Sequence, residues 1–148
     1  MAKAIIVGGG LAGLTAAFRL CAVLQVHLFE AAPALGGQIR TERSAGFAVE
    51  RGAEGFVFHS EAVPGLAADL GMPDDLMGQS LMQSYSSDAD GLRVMAPGEA
   101  AAFLGFQVPK AALGQVIRTF RRGMASLVRA LEDSVREHAR IECGAAAT

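Results

Sequence analysis

Cysteine and histidine are scarce in this chain, and neither is arranged for chemistry. The two cysteines, Cys21 and Cys143, lie far apart, each within an apolar periodic stretch. That excludes a CxxC redox centre and reads as two reduced core thiols rather than a disulfide. His27, His59 and His138 have no helical spacing to one another and no neighbouring Cys or Glu in a ligand pattern, so no metal site is expected. Charge is thin: 19% of residues are charged and the net charge is −2. No basic surface therefore points to nucleic acid or anionic lipid. Internal repeats, a nucleophile elbow and a P-loop lysine are all missing. At 148 residues, the chain can bury one ordinary core but is too short for two full-sized domains.

A membrane span and a signal peptide are also missing from the reading. Ala4 to Leu24 is apolar apart from Thr15 and Arg19 and approaches the length of a span. Three glycines early in the run and an arginine late in it fit a buried strand, turn and helix instead. There is no charged region of any length ahead of it, and the chain continues straight into another strand, QVHLFE, so a cytoplasmic protein is expected.

What the chain does have is glycine, 18 residues in all, and apolar residues, 51% of the total. Lys3 to Val7 reads as a short strand of a parallel sheet covered on both faces. Leu11, Leu14, Ala17, Phe18 and Cys21 recur at helical spacing in a segment ending near Leu24, and Val26 to Glu30 reads as the next strand, giving a β-α-β unit. IRTERSAGFAVE reads as a hairpin turning at Ser44-Ala45-Gly46. Ser60 is placed to cap a helix through Val63, Leu66 and Leu70, with Gly71 at its stop and Pro73 beyond. A second hairpin is expected from Leu81 to Tyr85 and Leu92 to Met95, around the turn-rich SSDADG. Helical propensity runs over Glu99 to Leu104. Met124, Leu127, Val128, Leu131 and Val135 then form the apolar stripe of a final helix, with Arg129–Asp133 and Glu132–Arg136 as exposed opposite-charge pairs. Arg140 to Cys143 is a last strand.

Chemistry concentrates at the glycines. Gly8, Gly10 and Gly13 satisfy G-x-G-x-x-G: one for the sharp turn, one for close approach of backbone to a pyrophosphate, one for tight packing of helix on strand. The N–H groups and positive dipole end of the helix starting at Leu11 would face the phosphates. Glu30, about 20 residues on and ending the second strand, stands where a ribose-binding carboxylate belongs and would repel the extra phosphate of NADP. These residues alone leave NAD and FAD both open.

The following segment narrows the choice. EAAPALGGQIRT, Glu30 to Thr41, resembles the E-x-(5)-GG-(R/K/Q)-x-x-T signature of the flavin-containing amine oxidase superfamily. GFAVERGAEGFVF resembles a segment that passes the flavin ring in its protoporphyrinogen and coproporphyrinogen oxidase branch. TFRRGMASLVRALEDSVREHARIEC is similar to that branch's F-R-G-G-M helix and the strand after it. The resemblance implies an α/β fold, a Rossmann-like FAD-binding domain of the glutathione-reductase type with a parallel sheet, incomplete relative to the family. Its parts would be 1–60 (β-α-β unit and glycine-rich segments), 61–115 (helix, hairpin and irregular linker) and 116–148 (amphipathic helix and terminal strand).

It further implies FAD as cofactor. Gly8, Gly9, Gly10, Leu11, Ala12 and Gly13 would lie at the pyrophosphate, with Glu30 and Ala31 at the adenosine ribose. Gly36, Gly37, Gln38 and Arg40 would run along the pyrophosphate and ribityl chain, and Gly52, Ala53, Glu54 and Gly55 would edge the isoalloxazine. Departures from the pattern are Ala34 where relatives commonly carry Arg, Ala53 where many carry Pro, and Arg122 in place of the first glycine of F-R-G-G-M. The activity implied is an oxidase passing hydride from a small, porphyrinogen-like substrate to flavin N5, with reoxidation by oxygen. No catalytic residue is named by the pattern, because the cofactor carries the chemistry. The alternatives are an amine oxidase or carotenoid desaturase type of flavoenzyme, and a non-catalytic FAD-binding module. The last arises because the family's substrate domain and its late G-D segment are missing here, leaving room for a homo-oligomer or a completing partner chain. That late segment usually pairs beside the first strand, so Lys3 to Val7 is expected at an uncovered sheet edge.

Overall fold

A computed structural model describes residues 2–57, 61–78, 83–103, 105 and 117–146. Strand β1 (Lys3–Val7) turns through three glycines into helix α1 (Leu11–Leu20) and returns as β2 (Gln25–Glu30). β2 is central: it pairs in parallel with β1 on one side and with β10 (Ala139–Cys143) on the other, Ile5 and Arg140 both lying opposite His27. Helix α4 (Ala125–Arg136) runs into β10 and packs beside α1 on one face of this sheet. Ala4, Ile6, Val26, Leu28 and Ile141 meet Leu14 and Ala17 of α1 and Leu127, Leu131 and Val135 of α4 to form the core. The expected stripe of α4 is wholly buried.

The expected second cover is not there among the described residues. Ile5 is 71% and Val7 66% exposed, although both belong to a strand apolar enough to be buried on two sides. Beside them on β2 and β10, the His27 ring lies over Phe29 with centroids 4.1 Å apart, and its Nε2 lies 3.0 Å from Glu142 Oε1. β1 has no strand on its other side among the described residues, so it is an edge, as expected.

The remaining elements are small. β3 (Thr41–Ser44) and β4 (Phe47–Glu50) make the expected hairpin around Ala45 and Gly46, which take φ of +49° and +82°. An unforeseen antiparallel sheet joins β5 (Phe56–Val57), β9 (Ile117–Phe120) and β6 (Leu76–Gly78), with β9 in the middle. The second hairpin is β7 (Tyr85–Asp88) and β8 (Gly91–Val94), followed by helix α3 (Glu99–Phe103).

Several boundaries move. α1 stops at Leu20, because the N–H groups of Val23 and Leu24 both turn back to the Leu20 carbonyl before the chain enters β2. Ser60 lies outside the described residues; α2 (Ala62–Asp69) starts after Glu61, whose side chain caps nothing, and Gly71 ends it at φ +71°. In the second hairpin, Ser86 to Asp88 are strand rather than turn. The turn shrinks to Ala89-Asp90 because Asp88 Oδ1 accepts the Asp90 N–H at 2.9 Å and Gly91 takes φ +117°. Leu81, Met82 and Leu104, expected in that hairpin and in α3, lie outside the described residues.

Of the two helix pairs, Glu132–Arg136 closes at 2.6 Å, whereas Arg129 and Asp133 form no ion pair among the described residues. Cys21 is partly buried, which raises its thiol pKa, but Cys143 is exposed at the end of β10 and is no core thiol. No helix among the described residues is long and apolar enough to cross a membrane. Among the same residues, no cluster of three or more His, Cys, Asp or Glu could hold a metal ion.

Candidate functional site

At the end of β1 each glycine meets a different demand. Gly8 takes φ +103°, a conformation that side chains resist, and its N–H bonds the Phe29 carbonyl at 2.8 Å. A Cβ on Gly13 would sit 1.9 Å from the Gly8 carbonyl oxygen and 3.3 Å from Ile6 Cγ2, so this glycine is what lets α1 lie against β1. Gly9 has its own constraint, unforeseen in the motif: a Cβ there would fall 2.3 Å from Leu35 Cδ2 and 3.1 Å from Glu30 Cβ. Gly10 is different. It has extended backbone (φ −74°, ψ −177°), and a Cβ on it would touch nothing nearer than Gly37 Cα at 4.0 Å. Nothing in the fold therefore requires glycine at Gly10, although a molecule lying against that backbone would.

Glu30 fastens this turn. One carboxylate oxygen accepts the Gly9 N–H at 2.6 Å and the other the Ala32 N–H at 2.7 Å. These bonds, Ala32 first and Gly9 second, hold its pKa below the usual glutamate range against a smaller opposing effect of burial. A ribose contact is what the sequence leads one to expect of Glu30; the structure adds that both oxygens already serve the backbone. Each oxygen retains a lone pair for a further donor.

The second glycine pair lies on the first. The Gly36 N–H bonds the Gly9 carbonyl at 2.8 Å, and Gly10 and Gly36 form a parallel bridge. Gly36 and Gly37 take φ of +113° and +57°, and a Cβ on Gly37 would meet Gly10 Cα at 3.2 Å. The third segment joins the second: a Cβ on Gly52 would fall 1.8 Å from the Gln38 carbonyl oxygen. Gly55 is tied elsewhere, its Cβ position 2.7 Å from the Arg118 carbonyl oxygen of β9. Ala31, Ala53 and Glu54 are exposed, and the Glu54 carbonyl accepts the Thr119 hydroxyl at 3.0 Å. Arg40 is exposed, and its guanidinium has no partner among the described residues.

The N-terminus of α1 opens onto this junction. Leu11 and Ala12 begin the helix, no side chain caps it, and its first turn holds no acidic residue. Its orphan N–H groups and positive end are thus available to an anion. Two surface grooves of about 670 and 690 Å³ lie elsewhere, one lined by Phe18, Cys21 and His138, the other by Tyr85, Arg93 and Phe103.

Residues outside the expected set hold the site together. Thr41, Glu50, Leu35 and Val128 contact the glycine segments or the hairpin they lead into. Glu50 could have been picked out, since it is the acidic position of the GFAVE block. At Arg122, where glycine was expected, the side chain reaches out to Asp75 at 2.7 Å, while the close approach falls to Gly123 with φ +87°.

Residues 6–72 match the family described as NAD(P)-binding Rossmann-like domain. The coproporphyrinogen III oxidase of Bacillus subtilis (strain 168) is 36% identical over 88 residues, covering 55% of this chain and 19% of that protein. That of Mycobacterium bovis is 44% identical over 73 residues, 47% of this chain and 16% of its own length. The peroxisomal N(1)-acetyl-spermine/spermidine oxidase of Bos taurus is 34% identical over 140 residues, 91% of this chain and 25% of that protein. Among solved structures, a protein of Exiguobacterium sp. 255-15 to which protoporphyrinogen oxidase activity has been ascribed superposes with a TM-score of 0.72 at 19% identity, over 97% of this chain and 52% of its own. A putrescine oxidase variant gives 0.61 at 15% identity, over 95% and 50%. The chain thus spans between 16% and 25% of the length of these curated relatives and about half of the solved chains.

Proposed function

We propose that the chain is the dinucleotide-binding portion of a flavoprotein of the porphyrinogen-oxidase-like branch of the flavin-containing amine oxidase superfamily, and that it binds FAD and serves an oxidoreductase of the oxidase type; its similarity to coproporphyrinogen III oxidases and its Rossmann-like match support this. The observation that carries this reading is the second glycine pair seated on the first, with Gly10 kept free of any neighbour that would explain its lack of a side chain. The pyrophosphate would rest on Gly8 to Gly13 and the first turn of α1, and the ribose near Glu30 and Ala31. The rest of the cofactor would follow Gly36, Gly37 and Gln38 toward Gly52, Ala53, Glu54 and Gly55, with Arg40 free to neutralise phosphate charge. The second pair, laid against the first, extends the stretch of backbone free of side chains beyond the first turn, which favours FAD although the matching family carries the other nucleotide's name.

When bound, FAD would accept hydride from a reduced, porphyrinogen-like substrate and be reoxidised by oxygen. This chain's own part is to bind and orient. Its glycine backbone excludes side chains from the phosphates, and Glu30 holds the turn in register. Purified protein should show the two visible absorption bands of a flavin and release FAD on denaturation. Colourless protein that takes up no FAD in titration, whether or not it takes up NAD, would overturn the proposal.

The bare sheet face and open β1 edge favour a second reading, in which the chain is a nucleotide-binding module completed by further polypeptide, in the same or another chain, that brings the substrate site. Anaerobic addition of a porphyrinogen separates the two: reduction of the bound flavin supports an oxidase in this chain, and its absence supports the module. Polyamines offered in the same assay, with peroxide detection, test the amine oxidase alternative that the bovine relative raises.

A further inference from the structure

We propose that Glu50 and Thr41, which nothing in the dinucleotide motif requires, act as positioning residues that latch the β3–β4 hairpin to the N-terminus of α4 and so hold Gly36 and Gly37 against the first glycine turn. This rests on the glycine junction being the nucleotide site. α4 has no cap of its own, since Met124 precedes it in helical conformation and offers no side-chain acceptor. Two of the N–H groups at its start are satisfied from the hairpin, whereas those of Ser126 and Leu127 go to the Gly123 and Met124 carbonyls. Glu50 Oε1 accepts the Met124 N–H at 2.8 Å, and Thr41 Oγ1 accepts the Ala125 N–H at 3.0 Å. The Thr41 hydroxyl donates in turn to Glu50 Oε2 at 2.8 Å. A carboxylate at a helix N-terminus is also favoured by the dipole. The contact is tight, with a Cβ on Gly123 falling 2.5 Å from Thr41 Cγ2 and 2.8 Å from Glu50 Oε1. Arg43 adds a bond from its guanidinium to the Arg122 carbonyl at 2.9 Å.

The latch reaches the glycines by two routes. Only Gln38, Ile39 and Arg40 separate Gly37 from Thr41, so the hairpin cannot shift far without moving the pair. From the other side, the Cβ position of Gly36 lies 3.3 Å from Val128 Cγ1 of α4, so the helix that receives the latch is also the seat of Gly36. Gly36 in turn holds the first loop through its N–H bond to the Gly9 carbonyl. A capping role confined to α4 would leave that last bond untouched; the latch would not.

Amide hydrogen exchange on the full chain tests this without any ligand. In Glu50→Ala and Thr41→Val, exchange at Met124, Ala125 and also Gly36 should rise about tenfold or more, the loss of one hydrogen bond, while Leu28 in the central strand keeps its rate. Glu50→Gln and Thr41→Ser, which retain an acceptor and a hydroxyl, should restore most of the protection. If Glu50→Ala fails to fold, Thr41→Val alone, which keeps the carboxylate and removes only the hydroxyl, supplies the same comparison; if both fail, exchange of the parent in urea below its unfolding transition does, with Gly36, Met124 and Ala125 expected to open together. Exchange that rises at Met124 and Ala125 but stays at the parent rate at Gly36 would overturn the coupling. FAD affinity forms a separate arm: it should fall in Glu50→Ala and return in Glu50→Gln. A parent protein that binds no FAD would remove the functional reading and leave the exchange result to decide the latch.

Discussion

Gly10 and Gly13 are three residues apart in one motif, yet the structure makes opposite demands on them. Alanine at Gly13 drives a Cβ into backbone at 1.9 Å, which side-chain motion cannot relieve. Gly13→Ala should therefore destabilise the fold by about 1–3 kcal/mol, read as a lower midpoint in urea. Alanine at Gly10 meets open space on an ordinary extended backbone. Gly10→Ala should leave stability within about 0.5 kcal/mol of the parent and yet weaken FAD about tenfold or more, the cost of holding a phosphate off by one methyl. Unfolding and flavin titration on the same two variants check both halves, and a Gly10→Ala protein that binds FAD like the parent would count against the cofactor's proposed path. Glu30 adds a pH dependence. Its folded-state pKa is lowered, so the stability it contributes is complete above the ordinary glutamate range and is withdrawn as pH falls through the lowered value. Glu30→Gln, which can accept only one of the two N–H bonds, should flatten the acid limb of stability against pH.

Among the elements, those written as a period were legible and those written as a partnership were not. β1, α1, β2 and α4 follow from runs and stripes, and the stripe of α4 went to the core intact, with Leu127, Leu131 and Val135 fully buried. Leu131→Ala should accordingly cost about 2–5 kcal/mol, measured by denaturant unfolding, whereas Glu132→Gln on the exposed face should cost no more than about 0.5 kcal/mol. The sheet of β5, β9 and β6 escaped notice for a physical reason. Its strands run from two to four residues, too short to show alternation, and IRTF reads as the approach to a helix until Phe56 and Leu76 arrive from elsewhere to pair with it. Likewise Glu50 was visible as an acidic position, but its task depends on the Met124 N–H, more than seventy residues away in sequence, and on Thr41, which receives the Ala125 N–H. The glycine motif could be read because its constraints are local, and the parts that hold it in place could not.

At the scale of the whole molecule, the three-stranded sheet is finished on one face and, among the described residues, bare on the other. Ile5 and Val7 stand exposed on an edge strand that carries a charge only at Lys3, the arrangement most prone to pair with another strand. Val7→Lys should leave thermal stability nearly unchanged while reducing concentration-dependent association in sedimentation velocity. An equal degree of association in parent and variant would show that the edge takes no part.

The order of the sheet, β1-β2-β10, also sets a schedule. The central strand is made within the first thirty residues, but its second neighbour does not exist until Cys143 has been synthesised. During translation the first β-α-β unit must therefore wait with α1 lacking α4 and β2 lacking β10, its glycine turn already closed by Glu30 but its core open to water. Closure over so long a stretch of chain is slow by its nature, and the waiting unit is the species most exposed to mispairing. Ribosome-stalled chains ending before and after Cys143 should differ sharply in protease resistance at Leu14 and Phe18, with protection arriving only once β10 has cleared the exit tunnel.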